Sequence, residues 1–297
     1  MSSPLLNESA IERVETSSGV AVLDRPTGGA TVGGTTVGPA TGPSPLDVAA
    51  PPPPPIAATT GRVMSYGGVT SAAGLMLVVL AVAGWFGWQT VSEVSAIDSR
   101  TGEIVTVGQL DSPGWLIAGA LVGLGLAILT AFKPNLAPFT SLPYAAAQGI
   151  VVGAISAFYN ARFDGIVLQA VLSTIGVFLA MLTLYGLRVL RATPRFVKTV
   201  VGATMGIFVL YLVGFVASLF GVDMDFWNSP SLLGIGISVV IVIVASLNLI
   251  IDFDVIERGV NERWPARMDW YGAFALIVTL IWLYLEMLRL LSKLRQN

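Results

Sequence analysis

Residues 232–259 read LLGIGISVVIVIVASLNLIIDFDVIERG, and the first twenty of them carry no charge. A helix of ~20 apolar residues is what the hydrocarbon core of a bilayer requires of a spanning segment. The segment then closes on Asp252, Asp254, Glu257 and Arg258. An ionised side chain inside a span costs on the order of 3 kcal/mol at the helix centre and is retained mostly where it meets a cavity, a partner or a pathway. Asp252 lies deepest of these acids, one turn after Asn248, so the two share a face. Asp254, two residues on, points roughly 200° away and cannot face the same cavity in a regular helix. Asp254 and Glu257 read as interfacial groups where the helix emerges, with Glu257 close to Arg258 and solvent.

Runs of the same kind recur along the chain, at 67–91, 113–132, 143–160, 165–188, 198–221, 230–253 and 270–292. Seven spans is the favoured count. The third and fourth are separated only by NARFDG, which leaves six helices with a re-entrant pair as the alternative. The composition agrees: 54% of the 297 residues are hydrophobic and 11% charged, with a mean hydropathy of +0.78. This is an all-α, polytopic membrane protein. Cysteine and histidine are both absent, which removes disulfides, thiol nucleophiles, and thiolate or imidazole metal sites. The net charge of −2, without a basic block, argues against nucleic acid as a partner.

Residues 1–62 differ from the rest, with TGGATVGGTTVGPATGPSPL and a run of five prolines at 51–55. Such a tail cannot bury enough surface to order itself, and is expected to be disordered. The prolines read as a stiff linker, or else as a polyproline ligand. The seven-helix domain is expected over 63–297. Lysine and arginine set its orientation. Arg188, Arg191, Arg195 and Lys198 follow the fourth run, and Arg258, Arg263 and Arg267 follow the sixth. Both loops should face the cytoplasm, and parity places the tail there too. The closing RLLSKLRQN then falls outside, against the rule.

Gly119 and Gly123 form a GxxxG in the second run, read as helix packing. The tryptophans Trp85, Trp88, Trp115, Trp227, Trp264, Trp270 and Trp282 mostly sit near helix ends, as interfacial anchors do. No phosphate loop, HExxH, serine elbow or glycosidase carboxylate spacing occurs, so an enzyme is not expected. Gln148 and Gln169 are candidates for joining helices or lining a path. Glu286 precedes Arg289 by three residues on one helix face. At ~25 Å above the start of its helix, it should pair with Arg289 at the far membrane interface.

FLAMLTLYGLRVL (178–190), LIIDFDVIERG (249–259) and LIWLYLEMLRLL (280–291) resemble motifs of the Bax-inhibitor membrane family, in its bacterial form, over residues 64–292. The resemblance implies seven helices with the last one central. It also implies a pH-sensitive calcium leak and, in eukaryotic members, protection from cell death. No cofactor is expected beyond Ca²⁺ as the permeant or bound ion. The family's sixth-helix aspartate falls on Asp252, which would bind the metal ion, and its last-helix aspartate falls on Thr279. A threonine cannot share a titrating proton, so protonation and cation binding would compete at one carboxylate. Some relatives lock the closed state with an arginine in the second helix; here none lies between Trp115 and Phe132, and Lys133 only caps the end. The resemblance thus favours a leak channel of the plasma membrane. Bacterial relatives suggest the alternative, a non-conducting regulator of another membrane protein such as a membrane-bound protease.

Overall fold

The computed structural model describes residues 61–97, 104–110, 113–221 and 230–296. The tail assigned above to residues 1–62 lies, but for its last two residues, outside them. Seven helices follow in order: α1 (Tyr66–Trp88), α2 (Pro113–Phe132), α3 (Ala137–Arg162), α4 (Ile166–Gly186), α5 (Pro194–Leu219), α6 (Leu232–Asn261) and α7 (Met268–Gln296). Six are long and apolar enough to cross a membrane, and α2 adds a shorter apolar helix. Phe163, Asp164 and Gly165 separate α3 from α4, with Gly165 in the left-handed region at φ 72°. Each of the two is a full helix rather than half of a re-entrant pair.

Local chemistry sets the starts. The Ser65 hydroxyl accepts from the Gly68 amide at 3.0 Å, Thr193 caps α5 with Pro194 at its first position, and Ser231 accepts from Gly234 at 3.2 Å. Each satisfies an amide that the first helical turn leaves unpaired. Because Pro194 opens α5, Arg195 and Lys198 stand on its first turns instead of in a loop. A single 3₁₀ turn, Pro134–Leu136, leads directly into α3. That helix therefore begins six residues before the expected 143 and carries Pro143 within it.

Two further departures have physical causes. Helix α6 continues eight residues past the expected 253. Its buried face persists through Phe253, Ile256 and Gly259, and Arg258 pairs with Asp254 one turn back at 2.8 Å. The segment between α1 and α2 is a hairpin, β1 (Val91–Ile97) antiparallel to β2 (Ile104–Leu110), in register from Val91 opposite Leu110 to Ile97 opposite Ile104. Gly108 lets β2 lie against Phe158 of α3.

Helix α7 is the central element, packed on α1, α3, α4 and α6. Ala273, Ile277, Leu283 and Leu288 are fully enclosed. At 29 residues, α7 is long and apolar enough for a complete span. Helices α1 and α3 approach at backbone distance, because a Cβ on Gly87 or Gly153 would strike the main chain at Ile150 or Gly84 respectively. Helix α2 packs on α3 through Gly119 and Gly123, the latter beneath Gln148. Large apolar side chains cover the outside of the bundle, among them Val78, Phe86, Leu121, Phe208, Phe215 and Ile243. In water such a surface would drive aggregation; in lipid it is the outer wall.

Candidate functional site

Helices α6 and α7 bring Asp252 and Thr279 together. The Thr279 hydroxyl hydrogen-bonds to the Asp252 carboxylate, while Asp252 Oδ2 is buried with no hydrogen-bond partner among the described residues. Thr279 itself is buried. Asn248 shares the side of α6 but not the contact. Its amide donates to Thr204 Oγ1 on α5 at 2.8 Å and to the Val244 carbonyl at 2.9 Å. The ~40° between residues four apart turns Asp252 toward α7 and Asn248 toward α5.

The other acids of α6 part ways. Asp254 pairs with Arg258, whereas Glu257 accepts a hydrogen bond from the Tyr185 hydroxyl of α4. Glu257 was expected beside Arg258 and solvent. It is instead half-buried against α4, because the continued helix carries it past the aromatic cluster of Phe178, Tyr185 and Phe253.

Glu286 also departs from expectation. It does pair with Arg289, at 3.1 Å, but it is only 2% exposed, enclosed by the neighbouring helices rather than open to solvent. The Tyr211 hydroxyl of α5 donates to Glu286 and in turn accepts from Arg289. Glu286 Oε2 is a second buried carboxylate oxygen without a hydrogen-bond partner among the described residues. Asp252 is therefore not the sole buried acid of the spans.

Lys293 escaped the sequence reading altogether. It is 3% exposed, and its ammonium donates to the Gly234 carbonyl at 3.0 Å and to the Ser238 hydroxyl at 2.9 Å. A signal was available: Thr279, Glu286 and Lys293 recur every seven residues, which keeps them within ~40° on α7 at steps of about 10 Å. A polar seam thus runs up the α5–α6–α7 contact through an otherwise apolar bundle.

The two glutamines lie at contacts between helices. Gln148 lies against Gly123, and Gln169 accepts from Arg295 at 3.0 Å, fastening the end of α7 to α4. No group of three or more acidic residues able to hold a metal ion occurs among the described residues. Asp252 contributes one carboxylate and has one neighbouring hydroxyl. Calcium usually takes six to eight oxygens, so these two side chains alone would not complete its coordination.

A bundle wrapped in apolar side chains, with a central last helix and an acid buried against it, defines a multi-pass α-helical membrane protein whose surroundings are a lipid bilayer. The family model described as Bax inhibitor 1 like matches residues 4–296, and the chain belongs to that family. The match extends beyond the 64–292 of the motif resemblance and takes in most of the N-terminal tail. No curated protein and no solved structure matches the chain.

Proposed function

We propose that the protein is a pH-sensitive cation leak of the plasma membrane, permeable to calcium, gated where α6 and α7 meet at Asp252. The observation that supports this is the buried Asp252 Oδ2, with no hydrogen-bond partner among the described residues. A carboxylate oxygen in that position either takes a proton or takes a cation, and the choice between them couples occupancy to pH. Asp252 lines neither the cavity beside the α4–α5 connection nor the apolar crevice between α1 and α4; in this reading α6 and α7 part at the Asp252–Thr279 contact to open the path. The N-terminus is cytoplasmic in this reading, on the side of the basic connections after α4 and α6.

Purified protein in liposomes loaded with a calcium dye tests the proposal. Flux that varies between pH 5 and 8, a range chosen to bracket the titration of a buried carboxylate, should lose that variation in Asp252→Asn and keep it in Asp254→Asn. Identical flux for the native protein and Asp252→Asn throughout the range would reject the gate.

A second reading, a non-conducting regulator that binds another membrane protein, draws on a different feature. Between α1 and α4 lies an apolar crevice of about 930 Å³, walled by Ala73, Leu77, Val171 and Ile175 and floored by the hydrogen-bonded Ser156 and Tyr284. In this reading a helix of the partner would fill it. Absence of calcium flux from the liposomes would favour this reading.

A further inference from the structure

Where α4 gives way to α5, the chain reads Leu187-Arg188-Val189-Leu190-Arg191. Leu187 and Val189, on either side of Arg188, are 70% and 65% exposed. Apolar and basic side chains interleaved at the end of a span belong to the depth of lipid headgroups, where the apolar members dip toward acyl chains. Arg188 sits at φ 58°, in the left-handed region that closes a helix and that glycine usually fills. The Val189 amide on the Leu184 carbonyl at 3.0 Å holds it there.

Beside this loop is a cavity of about 590 Å³ whose lining includes Tyr66, Tyr185, Arg188, Arg191, Asp254 and Glu257. Its two sides carry opposite charge: guanidinium groups come from the α4–α5 connection and carboxylates from the last turns of α6. Arg258 already pairs with Asp254 through Oδ2, and Tyr185 donates to Glu257. Among the described residues no ion pair or hydrogen bond engages the side chain of Arg188 or Arg191. A cation near a helix C-terminus is commonplace and accounts for Arg188 alone. It does not account for a cavity that faces the two arginines with two acids.

We propose that this cavity binds the headgroup of a zwitterionic phospholipid with a primary ammonium, of the phosphatidylethanolamine kind. Its phosphate meets Arg188 and Arg191, in the planar, multidonor geometry that arginine offers to phosphate. Its ammonium donates to Asp254 and Glu257, and its chains run past Leu187 and Val189. A choline headgroup lacks N–H donors for the acidic wall. A glycerol headgroup lacks the cation.

Native mass spectrometry of the purified full chain, offered equal amounts of phosphatidylethanolamine, phosphatidylcholine and phosphatidylglycerol, tests this. Phosphatidylethanolamine should be retained above the other two. Arg188→Gly relieves the left-handed backbone, so thermal stability should hold or rise, yet retention should fall about tenfold with the loss of a charge-assisted phosphate contact. Asp254→Asn combined with Glu257→Gln should erase the preference over phosphatidylcholine. Equal retention of the three lipids, highest retention of phosphatidylglycerol, or unchanged retention in Arg188→Gly would each overturn the proposal. So would binding of free phosphorylethanolamine as tight as that of the lipid, since the source would then not be the membrane.

Discussion

The hydroxyl of Thr279 meets the carboxylate of Asp252 inside the bundle, one hydrogen bond joining the central helix α7 to the acidic end of α6. By resemblance the family carries a second aspartate where Thr279 stands, so this chain replaces a carboxylate pair by a carboxylate and a donor. Thr279→Val should cost about 1–3 kcal/mol, because it strips a buried acceptor of its partner. In an Asp252→Leu background the same change should cost little. Reversible unfolding of the four proteins in a double-mutant cycle measures the coupling, and a coupling near zero would show that the contact contributes nothing.

Glu286, Tyr211 and Arg289 meet around a buried charge. Arg289→Gln removes the cation that balances Glu286 and leaves it only the Tyr211 hydroxyl, and should lower stability by about 3 kcal/mol or more, whereas Tyr211→Phe should cost about 1–2 kcal/mol. Detergent unfolding followed by circular dichroism reads both. Native-like stability of Arg289→Gln would mean that the carboxylate has another source of neutralisation.

Gly153 has the backbone of Gly84 directly above it, but Gly125 has nothing within 4 Å of where a Cβ would stand. Gly153→Ala should force α1 and α3 apart at a cost of about 1–3 kcal/mol. Gly125→Ala should stay within about 0.5 kcal/mol of the native protein. Thermal midpoints of the pair decide it, and equal effects would mean that the helices do not pack at backbone distance.

Protease added to sealed, right-side-out cells should leave residues 1–62 intact if the basic connections after α4 and α6 face the cytoplasm. Mass spectrometry of the recovered chain is the readout. Loss of the tail would reverse the whole topology.

The seven helices were legible in the sequence because each is an apolar run near the length of a span, and that signal survives ignorance of any contact. Thr279 was pointed to as the partner of Asp252 by the family resemblance, and helical rise adds only that the two lie at compatible depths. What the sequence hid depends on rotation and on neighbours. Tyr211 carries no local mark of its role, since its partner Glu286 lies 75 residues away on another helix, and the seven-residue spacing that marks Lys293 does not name Ser238, 55 residues back, as its partner. The overrun of α6 was missed because its charged turns read as solvent, although Arg258 answers Asp254 within the helix. The hairpin was hidden because its alternating residues stand between two apolar runs, where span length as a signal says nothing about them.

That hairpin has a consequence for where the protein can sit. A two-stranded sheet has unpaired amide and carbonyl groups along both outer edges, and hydrocarbon does not tolerate them exposed to lipid. Val91 begins β1 only three residues after Trp88 ends α1, leaving no slack between span and sheet. In a thicker bilayer a smooth helix can slide or sink, but here the strand edges stop any descent. Hydrophobic mismatch must be met by tilt or by deforming the lipid, which makes the hairpin a depth stop for the whole bundle.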